Sequence, residues 1–125
     1  GTSDGAESMR LGIESDAKIY FDYGDGNEYC QTNRGISTSR WNHIFAYVKA
    51  GEKGEVFVNG RRQEYSHHYA SDGNGFPDAT TYTSIIGMAY ASAPFTGKIA
   101  LLKIGGLIPS DEQIRRIYYE EILLE

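Results

Sequence analysis

Asn59-Gly60 is the feature that most narrows what this chain can become. Both residues tolerate the positive φ of a two-residue hairpin turn, and Glu55-Val56-Phe57-Val58 leads directly into them with strand character. Arg61-Arg62-Gln63-Glu64-Tyr65 is therefore expected to pair back against that strand. Upstream, Trp41-Asn42-His43-Ile44-Phe45-Ala46-Tyr47-Val48-Lys49 places apolar residues on both alternating faces, the pattern of a central strand buried on both sides. Such a strand needs cover above and below, which two packed antiparallel sheets provide.

The rest of the chain extends this pattern. Met9-Arg10-Leu11-Gly12-Ile13 and Ala17-Lys18-Ile19-Tyr20-Phe21-Asp22-Tyr23 alternate on either side of the polar break Glu14-Ser15-Asp16, which predicts a hairpin with Leu11 and Ile13 facing Ile19 and Phe21. Gly24-Asp25-Gly26-Asn27 is turn chemistry, and Glu28-Tyr29-Cys30-Gln31 reads as a short third strand. Residues 66–82 hold no sustained period and read as a long surface loop. Residues 84–88 and 95–104 read as further strands, with Gly97 a candidate bulge. Only the end changes period: Ser110 and Gln113 form a capping box, Asp111 and Glu112 suit the positive helix end, and Ile114, Ile117, Tyr118 and Ile122 recur at helical spacing.

Composition agrees with an all-β domain. Fifteen Gly and ten Tyr against three Pro fit many tight turns joining aromatic-bearing strands. A length of 125 residues allows one domain with one core. A formal charge of −5 offers no basic field for a phosphate backbone, which disfavours a nucleic-acid partner, and no apolar run approaches the length of a membrane span. Cys30 is the only cysteine, which excludes an internal disulfide and a multi-cysteine zinc cage.

Two motifs in order carry a resemblance to a known family. Arg40-Trp41-Asn42-His43-Ile44-Phe45-Ala46-Tyr47-Val48 with Glu55-Val56-Phe57-Val58-Asn59-Gly60 resembles the Trp-x-His strand and aromatic-Val-Asn/Asp-Gly hairpin of laminin G-like, or concanavalin A-like, domains. Phe95-Thr96-Gly97-Lys98-Ile99 followed by Ile108-Pro109-Ser110-Asp111-Glu112-Gln113-Ile114 looks like that family's closing strand and terminal helix. The resemblance implies an antiparallel two-sheet β-sandwich, a jelly roll over residues 1–125, closed by one short C-terminal helix. The aromatic-rich strands that the family usually places before the Met9 hairpin have no counterpart here. The chain is therefore expected to be the later part of a larger module, its missing edge cut away or supplied by another subunit.

The resemblance also frames the candidate sites. The related β-glucanases carry clustered carboxylates on one strand, whereas Glu52-Lys53-Gly54-Glu55 and Glu14-Ser15-Asp16 are broken by turns and read as solvated surface, so no enzyme is expected. Many relatives bind calcium through loop carboxylates, which makes calcium the candidate cofactor, with Asp72, Asn74 and Asp78 as ligands in Asp72-Gly73-Asn74-Gly75-Phe76-Pro77-Asp78 and Asp22 with Asp25 as a second set. His67 and His68 would face opposite ways on a strand, and together only on a loop. His43 is expected to be a hydrogen-bonded structural histidine, and Cys30 to be buried. Tyr65, His68, Tyr69, Asn74 and Phe76, in or beside the long loop, offer ring faces, amides and imidazole suited equally to a sugar or a protein surface. The expected role is a non-catalytic recognition or adhesion module that binds a glycan or a protein receptor in a larger extracellular or virion-surface protein, such as a phage tail fibre. The alternative is a structural module that self-assembles, as a homo-oligomer, into a fibre or capsid without a ligand.

Overall fold

The computed structural model describes residues 9–24, 27–71, 88–89, 93–94, 97–100 and 107–123. Within them, β1 (Arg10–Ile13), β2 (Ile19–Asp22), β3 (Tyr29–Thr32), β4 (Ile44–Tyr47), β5 (Glu55–Val58), β6 (Arg61–Arg62), β7 (Tyr65–His68), β8 (Met88–Ala89) and β9 (Ala93–Pro94) precede α1 (Asp111–Tyr118), which runs on into a π-helical turn, Tyr119–Leu123. The strands form an antiparallel four-stranded sheet in the order β1-β2-β3-β7, a three-stranded sheet in the order β4-β5-β6, and the β8-β9 pair. This is the two-sheet β-sandwich expected from the sequence, with its short terminal helix.

Strand alternation sets the core. Ile19, Phe21 and Tyr23 from β2 and its end, with Cys30 from β3, are buried against Val56, and Ile44, Ala46, Val48 and Val58 of the second sheet pack around them. The β1–β2 register pairs Leu11 with Phe21 and Ile13 with Ile19, as alternation predicts. Thr32 stands fully buried among these apolar groups because its hydroxyl is satisfied twice: it accepts from the Ile19 N–H at 2.9 Å and donates to the Arg34 carbonyl at 3.0 Å.

The Asn59-Gly60 turn forms with φ of 53° and 79°, the left-handed values that these two residue types tolerate. Asn59 does more than turn the chain. Its Oδ1 accepts from the His43 N–H at 2.8 Å and its Nδ2 donates to Asn42 Oδ1 at 3.1 Å, so the hairpin tip also holds the segment entering β4. Helix α1 lies against the same tip: a Cβ on Gly60 would stand 3.1 Å from Tyr118 Cδ2 and 3.3 Å from Arg115 Cγ. The capping box at Ser110 and Gln113 is closed in both directions, and Ile114 is fully buried.

Four expectations need correction. The strand expected over residues 41–49 is confined to Ile44–Tyr47, is half-buried throughout, and among the described residues pairs only with β5. Trp41 precedes it and is 57% exposed. The return strand after Asn59-Gly60 stops at Arg62: the Gln63 N–H still donates to the Val56 carbonyl at 2.9 Å, but the Glu64 carbonyl already accepts from Asn33 beside the other sheet at 3.0 Å. The first part of the loop expected over 66–82 is not loop, since Tyr65–His68 is a strand on β3 and Ala70 still bridges Lys53; residues 72–82 lie outside the described residues. Finally, residues 97–100 are not in a strand, and Gly97 takes φ of 146°, a region reserved in practice for glycine.

Two outcomes follow for stability. Gly60→Ala adds left-handed strain and a tight contact with α1, and should lower unfolding free energy by about 1–2 kcal/mol, read as a lower denaturation midpoint at unchanged slope. The second is alkaline sensitivity. Burial, reinforced by the charge of Glu55, pushes the Cys30 thiol from 9.0 up to about 12, and burial pushes the Tyr23 phenol from 10.0 up to about 12. The folded chain therefore holds protons that the unfolded chain releases, so stability is retained below about pH 9 and falls as pH rises from there toward about 12. A denaturation midpoint that stays flat across that window would contradict this.

Candidate functional site

Strand β7 divides the residues that sequence reading grouped together. Tyr65 packs against the inter-sheet core and His68 reaches inward, where its Nε2 lies 2.7 Å from the Gly54 carbonyl. His67 and Tyr69 point the other way, beside Tyr29 on the outer face of the four-stranded sheet. A register shift between Gln31 and Thr32 lets both Tyr65 and His68 face inward although they are an odd three positions apart. Of the ligand candidates, Tyr65 and His68 thus sit together inside and Tyr69 outside. Asn74 and Phe76, with the calcium candidates Asp72, Asn74 and Asp78 and the second-set Asp25, lie outside the described residues. Asp22, the other half of that second set, forms a 2.8 Å ion pair with Arg10, which neutralises the oxygen a cation would need. Among the described residues no cluster of three or more His, Cys, Asp or Glu is placed to hold a metal ion.

The inner group is a closed polar network. The Tyr65 hydroxyl accepts from the Val56 N–H at 2.7 Å and donates to Glu55 Oε2 at 2.8 Å, and Arg62 meets the same oxygen at 2.9 Å. Arg62 also bonds Asp111 at 2.9 Å and lies over the Phe57 ring at 4.9 Å, joining α1 to the sheet. Burial first, then Glu55, drive the Tyr65 phenol far above its usual range, while the Val56 N–H works in the opposite sense. Glu55 is therefore not the solvated surface carboxylate its Glu-Lys-Gly-Glu context implies. His43 lies largely buried, 3.3 Å from Glu121. Tyr65→Phe would strip the Val56 N–H of its acceptor, and should cost about 1–3 kcal/mol of stability, measured by chemical denaturation.

The outer group is built from two rows of side chains that cross the strands. Gly12, Tyr20, Gln31 and His67 stand opposite one another on β1, β2, β3 and β7. One step along, Arg10, Asp22 and Tyr29 are opposite one another, and Tyr69, whose N–H donates to the Tyr29 carbonyl, ends that row. The rings interlock diagonally. Tyr20 and Tyr29 stack at 4.9 Å, Tyr29 lies 5.3 Å from Tyr69 and 5.7 Å from His67, and His67 lies 6.3 Å from Tyr69. Gln31 Oε1 is 3.1 Å from His67 Nδ1 and fills the gap between Tyr20 and His67. Tyr69 is 41% exposed, and its carbonyl is fixed from inside by the Tyr23 hydroxyl. The result is a solvent-facing apolar surface with amide and imidazole groups set into it.

Sequence reasoning missed Tyr20, Tyr29, Gln31 and His67 as a group. The signal for the first three was the alternation on β2 and β3, which sends Tyr20, Tyr29 and Gln31 to the face opposite Phe21 and Cys30. His67 was hidden because β7 carries a histidine where an apolar inward residue would have announced a strand.

Comparison with known proteins fits this architecture. No curated protein matches the chain. The crystal structure of an S-layer domain-containing protein (residues 221–444) from Clostridium thermocellum ATCC 27405 is similar over 94% of this chain, at 20% identity and a TM-score of 0.49. The chain spans 59% of that one's length. The Laminin_G_3 family model, described as the concanavalin A-like lectin/glucanases superfamily, matches residues 1–115, nearly the whole length, and the chain belongs to that family.

Proposed function

We propose that the chain is a non-catalytic recognition module of an extracellular surface protein, and that it binds a glycan on the outer face of the β1-β2-β3-β7 sheet. The observation that carries this reading is the interlocked set Tyr20, Tyr29, His67 and Tyr69 with Gln31 among them. Sugar rings present apolar C–H faces and hydroxyl edges, and this surface supplies aromatic carbon beside an amide and an imidazole. Tyr69 and His67, the most open of the set, serve as the contact residues, with Tyr29 packed beside both. The superfamily's name joins lectins and glucanases, and the arrangement around Glu55 favours the former. Glycoside hydrolysis needs an acid and a second carboxylate free to act, whereas Glu55 is committed to Tyr65 and Arg62.

A glycan array probed with the chain, in calcium and in chelator, tests the reading. Tyr69→Ala and His67→Ala should each weaken binding by about tenfold while lowering stability by no more than about 1 kcal/mol, the worth of one cross-strand pair. Binding that is lost on chelation yet indifferent to these substitutions would move the site to the segment holding Asp72, Asn74 and Asp78. Failure to bind any glycan, with light scattering that rises with concentration, would favour the self-assembling alternative.

A further inference from the structure

We infer that the outer face takes an internal stretch of a linear, neutral glycan lying across the strands, and not a terminal sugar or an acidic one; the inference rests on the glycan reading above. Its first support is the direction of the rings. They come from three adjacent strands, β2, β3 and β7, so the contact surface runs perpendicular to the strands and is several side chains long. A ligand that used all of it would extend from Tyr69 and His67, past Tyr29, to Tyr20.

The second support is the open surface that the described residues form here. Enclosing the end of a glycan requires concavity. Two shallow, open depressions among the described residues lie elsewhere: one is lined by Tyr47, Glu52, Lys53 and Glu55, the other lies along α1 at Glu112, Arg115 and Tyr119. At the β1 end, beyond Tyr20, the row closes with Gly12, where an added Cβ would meet nothing within 4 Å. Among the described residues, nothing stands in the way of a chain that has passed Tyr20 and continues over Gly12.

The third support is charge. The cation on this face, Arg10, is held by Asp22 at 2.8 Å while its guanidinium lies 5.9 Å from the Tyr20 ring centre. Gln31 is uncharged and engaged with His67. Among the described residues, the strip offers no uncompensated positive charge to a carboxylated or sulfated sugar, which favours recognition by stacking and by hydrogen bonds to hydroxyls.

The test is a fragment series of neutral linear glycans, from monosaccharide to octasaccharide, titrated by calorimetry against the intact chain, with an acidic polysaccharide as competitor. Affinity should rise by at least about tenfold between monosaccharide and tetrasaccharide, stay nearly constant at high salt, and resist the acidic competitor. Gly12→Ile, placed in open space and so compatible with folding, should weaken the longest fragments several-fold while sparing the shortest that bind. A monosaccharide that binds as tightly as the octasaccharide, or a preference for the acidic polymer that salt abolishes, overturns the inference while leaving glycan recognition intact. Unchanged octasaccharide affinity in Gly12→Ile overturns the passage over β1. No binding along the whole series overturns the underlying reading instead.

Discussion

At the corner where the chain passes from one sheet to the other, the two sheets are joined by one phenol, that of Tyr65. When β6 ends at Arg62 and the chain crosses to the other sheet, β5 is left with a backbone N–H at Val56 that has lost its strand partner, and an unpaired group at a sandwich corner costs about 1–3 kcal/mol. The Tyr65 hydroxyl accepts a hydrogen bond from that N–H and donates one to Glu55, while the ring fills the edge of the core. Tyr65 thus does the work of a missing strand residue and of a core side chain at once. Because it must point inward, the phase of β7 is set from its first residue.

The rest of the candidate surface follows from that phase. With Tyr65 and His68 turned in and one register shift absorbed between them, His67 and Tyr69 can only face outward, where β3 already presents Tyr29 and Gln31. The inner half of the strand is fully engaged: His68 has the Gly54 carbonyl, and Glu55 has Tyr65 and Arg62. A polar network satisfied to this degree rigidifies a corner of the fold and leaves little reactivity there. Cys30, buried with its thiol pushed up to about 12, is likewise a packing residue. The buried polar network and the exposed ring surface are separated by a single strand.

Much of this was legible in the residues, and the failures have physical causes. The β1–β2 register, the turn at Asn59-Gly60 and the capping box at Ser110 and Gln113 all depend on neighbours in sequence, and all formed as read. β7 did not announce itself, because its inward positions are a tyrosine and a histidine satisfied by hydrogen bonds instead of by burial alone. Local periodicity registers apolar cover and is blind to polar satisfaction by a distant strand. The strand around Phe45 erred in the other direction. Its two apolar faces are real, with Ile44 and Ala46 toward the core and Phe45 and Tyr47 near Phe57, but pairing with β5 alone leaves each of them half-buried. The candidate site was half legible: Tyr69 was named, yet grouped with Tyr65 and His68, from which one strand's alternation separates it.

Magnitudes decide how much of the outer face structure alone explains. A cross-strand aromatic pair stabilises a sheet by about 0.2–1 kcal/mol, which accounts for Tyr20 stacked on Tyr29 without any ligand. Tyr29 gains similarly from contact with Tyr69, but that contact does not require Tyr69 to keep 41% of its surface in water. Full burial of a large side chain is worth about 1.5–3 kcal/mol, and the fold leaves a substantial part of that unused at Tyr69, beside an exposed imidazole that a purely structural sheet face does not need. The unused part is available to a partner that covers the ring. The glycan reading therefore draws its weight from the β7 end of the surface, while Tyr20 and Tyr29 supply the rigid backing that keeps His67 and Tyr69 in place.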